Sequence, residues 1–253
     1  MALLKRDDYL AHLRGDALAL VGVARLHGDA PVPSCPGWTV NQLIAHTGRV
    51  HRMAAAVVVN QLLVPPGPDL VGRPPTEPGE LLPWFDEGIE NLIRALATAD
   101  PAAPAWNFVG LAPKAEFWVR RQAHETSIHR WDGQSALGQV TSIGSDLAVD
   151  GVDELFMLLG ARLPQAKPEA STGGSLHLHA TDAEGEWTVQ IKNGIVGVEL
   201  GHAKGDAALR ASASDLNLFV WGRLDPLDDG GDVGFEVFGN DTVIRSFAAI
   251  TGF

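Results

Sequence analysis

The sequence predicts two domains: an up-and-down helical bundle over residues 1–165, then a small α+β domain with a mainly antiparallel sheet over residues 172–253. Three observations carry this. The first two thirds of the chain place apolar residues at helical spacing, with no alternating segment between the helices. After a polar hinge at residues 167–174 the apolar period drops to two. A chain of 253 residues with 45% apolar and 20% charged side chains can also bury a sizeable core.

The first helix is read from Leu10, Leu13, Leu18 and Val21. A second begins at Thr39, where Gln42 three residues on completes a capping box, and runs through Leu43, Ile44, Val50 and Met53 to about Val59. Pro65, Pro66, Pro68, Pro74, Pro75 and Pro78 then forbid continuation and make residues 64–79 a long connection, a candidate lid. Leu81, Phe85, Ile89, Leu92, Ile93 and Leu96 share one face of a third helix, which Asp100-Pro101 ends. A fourth covers roughly Lys114 to Trp131 and is expected to stop at Gly133. Ser145 and Asp146 cap a fifth, carrying Leu147, Val152, Leu155, Phe156 and Leu159.

Beyond the hinge, Leu176, Leu178 and Ala180 alternate with Ser175, His177 and His179, so these strands should be half-buried with the histidines outward. Asp182 to Gly185 and Asn193-Gly194 are hairpin turns. A short helix near Ser214 to Gly222, a strand near Phe235 to Phe238 and a last helix capped by Asn240 or Asp241 complete the domain.

Composition removes several function classes. Nineteen Lys plus Arg against 31 Asp plus Glu give a net charge of −12, which argues against nucleic acid and anionic membranes as partners. The single cysteine, Cys35, excludes an internal disulfide and any multi-cysteine zinc site, and fits a reducing compartment. Asp7 and Asp8 interrupt any signal-peptide core, and the longest apolar stretch falls far short of the ~20 residues that span a bilayer. The expectation is a cytoplasmic protein, monomeric or weakly dimeric, acting on small molecules.

The segment with most chemistry lies on the fourth helix. At ~100° per residue, Glu125 and His129 are only ~40° apart around the axis and can point at one ion. His124 and His129 are ~140° apart and cannot both do so, which excludes a zincin-type arrangement. The second helix offers a third ligand: His46, among Leu43, Ile44 and Val50, is expected to face the bundle interior, and His51, beside Arg52, to be peripheral. Two histidines and one glutamate suit Zn²⁺, whose catalytic sites keep an open position. Asp132, one turn after His129, can hold an imidazole N–H.

Other candidates are weaker. Cys35 precedes a helix start but has no base near it in sequence, so it reads as a packed residue. Arg49, Arg52 and Arg121 read as mouth or ion-pair residues, and the acidic turn at residues 225–232 lacks the spacing of a calcium loop.

Two motifs resemble a known family. The run from Pro33 through Cys35, Trp38 and Thr39 to His46, and the later run Glu125, His129, Asp132, are similar to the metal-helix motifs of the mycothiol-dependent maleylpyruvate isomerase family, a branch of the DinB-like bundles of actinobacteria. The tail, through Ala180-Thr181-Asp182, Gly185-Glu186-Trp187 and Asp215 to Arg223, resembles the family's sterol-carrier-like domain. The resemblance implies that His46, Glu125 and His129 bind a divalent metal, usually zinc. It also implies that mycothiol is the thiol cosubstrate of an isomerase or S-transferase acting on a small electrophile. Arg223, at the end of the short C-terminal helix, is a candidate catalytic residue that clamps a carboxylate across the domain interface. Two alternatives stay open on the same scaffold: a non-catalytic small-ligand or sensor module, and a zinc hydrolase.

Overall fold

The computed structural model describes residues 3–77, 79–162, 173–192, 195–228 and 234–251. The chain divides into two compact units, Met1–Thr141 and Ser142–Phe253.

The first unit is built on four long helices: α1 (Arg6–His27), α2 (Val40–Val59), α4 (Leu81–Thr98) and α5 (Ala115–Ser135), with one helical turn, α3 (Pro68–Val71), inside the proline-rich connection. Both α1 and α2 pack against α4 and α5. Their shared core holds Leu13, Leu20, Leu43, Ile44, Phe85, Leu92, Leu96 and Trp118, all fully buried. The start of α2 is set as the sequence requires: Thr39 Oγ1 accepts from the Gln42 amide at 3.3 Å, and Gln42 Oε1 accepts from the Thr39 amide at 2.8 Å. This box fixes where α2 begins and therefore where His46 falls.

Two expectations about this bundle are corrected. Leu18 is 64% exposed, because the buried face of α1 is drawn by Tyr9, Leu13, Ala17, Leu20, Val21 and Ala24. Gly133 does not stop α5, which continues to Ser135. A Cβ there would lie 2.6 Å from Leu20 Cδ1, so Gly133 is a close-approach residue between α5 and α1. The chain turns away later, at Gly138, with φ +64°.

The second unit holds α6 (Ser145–Arg162), β1 (Gly174–Ala180), β2 (Glu186–Lys192), β3 (Ile195–Leu200), β4 (Ala207–Ala211), α7 (Ala213–Val220), β5 (Glu236–Gly239) and α8 (Asp241–Thr251). The sheet order is β3-β2-β1-β4-β5. Three pairs are antiparallel, but β1 and β4 run parallel, so the sheet is mixed. One face carries Leu176, Leu178, Ala180, Trp187, Val189 and Leu209, all buried. Trp187 Nε1 donates to Asp153 Oδ1 of α6 at 2.7 Å, and Asp182 Oδ1 accepts from the amide of Ala213 at 2.7 Å, tying the first hairpin turn to α7. The hinge at 167–172 and the Asn193-Gly194 turn lie outside the described residues, as does part of the acidic turn. Among the described residues no helix is long and apolar enough to cross a membrane.

Candidate metal centre

Helix α5 presents Arg121, Glu125, His129 and Asp132 along one stripe, because steps of four and three residues stay near one azimuth. Helix α2 brings His46 opposite them. His46 Nε2 lies 3.5 Å from Glu125 Oε1, and His129 Nε2 lies 3.3 Å from the same oxygen. The two imidazoles meet edge to face with centroids 5.2 Å apart, and the Trp38 ring lies 4.9 Å from that of His46. All three donor atoms fall within 4.8 Å of one another.

The surrounding groups orient this trio. Arg121 Nη2 donates to Glu125 Oε2 at 3.0 Å, so one carboxylate oxygen is occupied and the other faces both histidines. Asp132, fully buried, takes His129 Nδ1 at 2.9 Å on Oδ2 and the Ser34 hydroxyl at 2.6 Å on Oδ1. With Nδ1 held, His129 turns Nε2 toward Glu125. Burial pushes the Glu125 carboxyl up, but hydrogen bonds from His129 and His46 and the Arg121 charge outweigh it and hold the group well below its ordinary range. Burial likewise pushes His129 down, and the Asp132 and Glu125 carboxylates overcome this to raise it to about 9.

The donor set fits a divalent ion. Donors bound at ~2.0–2.2 Å around a tetrahedral cation lie ~3.3–3.6 Å from one another, close to the separations at Glu125. One side is open: His46 lines a cleft of about 1000 Å³ between α2 and the proline-rich connection, walled by Trp38, Arg49, Pro65, Pro68 and Arg73.

The sequence placed Glu125, His129 and Asp132 together, and the structure does the same. His124, on another side of α5, lies edge-on to Tyr9 with ring centroids 6.1 Å apart. The two α2 histidines are exchanged relative to expectation. His46 has a side chain 39% exposed and faces the cleft. His51 is fully buried, with Nε2 2.8 Å from Thr126 Oγ1, and burial depresses its pKa to about 3. Its place in the core stripe was readable from its spacing of four to Thr47 and seven to Ile44. Arg223 lies in the second unit just after α7, where its Nη1 donates to the Trp221 carbonyl at 2.7 Å. Arg52 pairs with Glu87 at 2.8 Å and stacks on Trp84.

Arg121, read from the sequence as a mouth or ion-pair residue, pairs with Glu125 four residues on. Sequence reasoning missed two contacts. Ser34 and Cys35, whose Sγ is 3.7 Å from Asp132 Oδ2, approach α5 from 97 or 98 residues away, and nothing local signals that contact.

A four-helix bundle with a His-Glu-His cluster beside an open cleft, followed in the chain by a small mixed-sheet unit, defines a two-part architecture. Residues 7–133 match the family described as mycothiol maleylpyruvate isomerase N-terminal domain, and residues 146–245 match its C-terminal domain. The chain belongs to the mycothiol maleylpyruvate isomerase family, a family of enzymes. Among solved structures it is similar to a mycothiol-dependent maleylpyruvate isomerase, with 15% identity, a TM-score of 0.59 and coverage of 94% of this chain and 95% of that one. A mutant of a mycothiol-dependent maleylpyruvate isomerase gives the same identity and coverage with a TM-score of 0.60. No curated protein sequence matches the chain.

Proposed function

We propose that this protein is a zinc-dependent, mycothiol-using isomerase or S-transferase that adds a low-molecular-weight thiol to a small electrophile. The observation that carries the reading is the convergence of His46 Nε2 and His129 Nε2 on Glu125 Oε1, at 3.5 and 3.3 Å, beside the open cleft. His46, Glu125 and His129 would hold the ion.

When bound there, zinc supplies a Lewis acid that lowers the pKa of a thiol and so provides the nucleophile for reversible addition to an activated C=C bond. The chain's own groups do the rest. Asp132 accepts the His129 Nδ1 proton, so Nε2 is the nitrogen presented to the site. Arg121 holds Oε2 of Glu125 and limits that carboxylate to a single donor oxygen. Arg49 and Arg73 in the cleft wall supply cations for a carboxylate of thiol or substrate. Arg223 is assigned a clamping role on its chemistry alone.

The test is elemental analysis and turnover together. About one zinc should depend on the cluster, and both that zinc and mycothiol-dependent turnover should be lost in His46→Ala. A metal-loaded preparation indifferent to mycothiol across a panel of electrophiles, maleylpyruvate included, overturns the reading. Turnover that persists without thiol points to hydrolysis instead.

A further inference from the structure

The second unit carries another cluster that the proposed function does not use. On β1, His177 and His179 point to the same side of the sheet, and Glu186 of β2 stands directly across from His179. His202, just beyond β3, comes over the same spot. Glu186 Oε1 is 2.5 Å from His179 Nδ1, 3.4 Å from His202 Nδ1 and 3.9 Å from His177 Nε2. The rings of His177 and His202 meet edge to face at 4.7 Å.

An outward, solvated polar face does not describe this arrangement. The His177 side chain is 8% exposed, because β1 is the central strand, and its Nε2 is buried with no hydrogen-bond partner among the described residues. A buried imidazole nitrogen is normally paired with protein or water. Here Nε2 lies 3.9 Å from a carboxylate oxygen already shared with two other imidazoles, a crowding of imidazole nitrogens around one oxygen that a cation would satisfy.

We propose that His177, Glu186 and His202 form a second divalent transition-metal site, separate from the bundle cluster, with His179 as the residue that positions the Glu186 carboxylate. Their donor atoms, one from each residue, lie within 4.8 Å of one another. Two imidazoles and one carboxylate select ions such as Zn²⁺, Ni²⁺ or Cu²⁺ over Mg²⁺ and Ca²⁺, which take oxygen donors. His177 is the fixed anchor. His202, with a side chain 75% exposed, is the solvent-facing ligand through which the ion enters and exchanges.

The experiment is a Zn²⁺ titration of the full chain by calorimetry, repeated with Co²⁺ to read the visible absorption of the bound ion. It is made on wild type, Glu125→Ala, and Glu125→Ala combined with His202→Asn or with Glu186→Gln. Glu125→Ala should still bind about one Zn²⁺ per chain. Each added substitution should weaken that binding at least tenfold and abolish the Co²⁺ spectrum, with circular dichroism unchanged. Both added residues are partly or largely exposed, so loss of fold does not confuse the result. If Glu125→Ala binds no Zn²⁺, or binds it equally well after both added substitutions, the site does not exist. The bundle cluster is judged separately, by whether wild type binds one more Zn²⁺ than Glu125→Ala.

Discussion

Asp132→Asn offers the sharpest test of how the bundle cluster is tuned. The Asn side chain keeps the shape and can satisfy both neighbours, its oxygen accepting from His129 Nδ1 and its amide donating to the Ser34 hydroxyl, so the fold should persist. What it removes is a fully buried negative charge. In the metal-free protein His129 is raised to about 9, so at pH 7 a metal must displace a proton held ~100-fold in favour of the charged ring. Zinc affinity of the wild-type cluster should therefore climb about tenfold per pH unit up to pH ~9 and then level. Without the Asp132 charge the His129 pKa falls, and the plateau starts at lower pH. On the plateau the variant should be weaker by ~10–100-fold, because the ligand has lost the carboxylate that increases its basicity. The gap should narrow as pH drops toward 7. Competition titrations with a chromophoric chelator from pH 6.5 to 9.5 measure both curves. A ratio between wild type and variant that stays constant, or widens on acidification, refutes the reasoning.

Three further outcomes follow from the same geometry. A raised His129 stabilises the metal-free fold below its unfolded pKa of ~6.5, and that contribution is lost as pH rises through about 9. Thermal denaturation of chelator-treated protein should show Tm falling across this window, and a flat profile would count against the Asp132–His129–Glu125 network. Gly133→Ala places a methyl 2.6 Å from Leu20 Cδ1; overpacking of ~1–3 kcal/mol, offset by ~1 kcal/mol of helix propensity, leaves a net loss of ~1 kcal/mol. Urea denaturation with an unchanged or higher midpoint would show that α5 and α1 have room there. Arg49→Ala, in the cleft wall, should raise KM for an anionic thiol or substrate roughly tenfold while leaving bound zinc unaltered. Steady-state kinetics with equal effects on a neutral substrate would argue against a carboxylate-binding role.

Much of the bundle was legible because its signals are local. The Thr39 and Gln42 box fixed the start of α2, and the four-residue step from Glu125 to His129 survives any tertiary context. Other features depend on partners remote in sequence. Leu18 is exposed because Leu13, Ala17, Leu20 and Val21 draw the buried face of α1 to another side, and His51 is buried because Phe85 and Thr126 close over it, with ring centroids to Phe85 5.3 Å apart. Gly133 carried the same letter whether it ended a helix or admitted a neighbour, and only Leu20 decides which. The parallel pairing of β1 with β4, across an intervening hairpin, and the burial of His177 that follows from a central strand are properties of strand order rather than of alternation.

The division of labour on Glu125 limits what the bundle can hold. With Arg121 engaged on Oε2, the carboxylate has only one hand free, so a captured cation would gain three protein contacts rather than four. Vacant valences would then be left to incoming molecules. Shortening or removing the guanidinium would let that carboxylate swing round and chelate, trading reactivity for grip. Through Glu125 alone, Arg121 would thus set how much of a captured ion the rest of the world can reach.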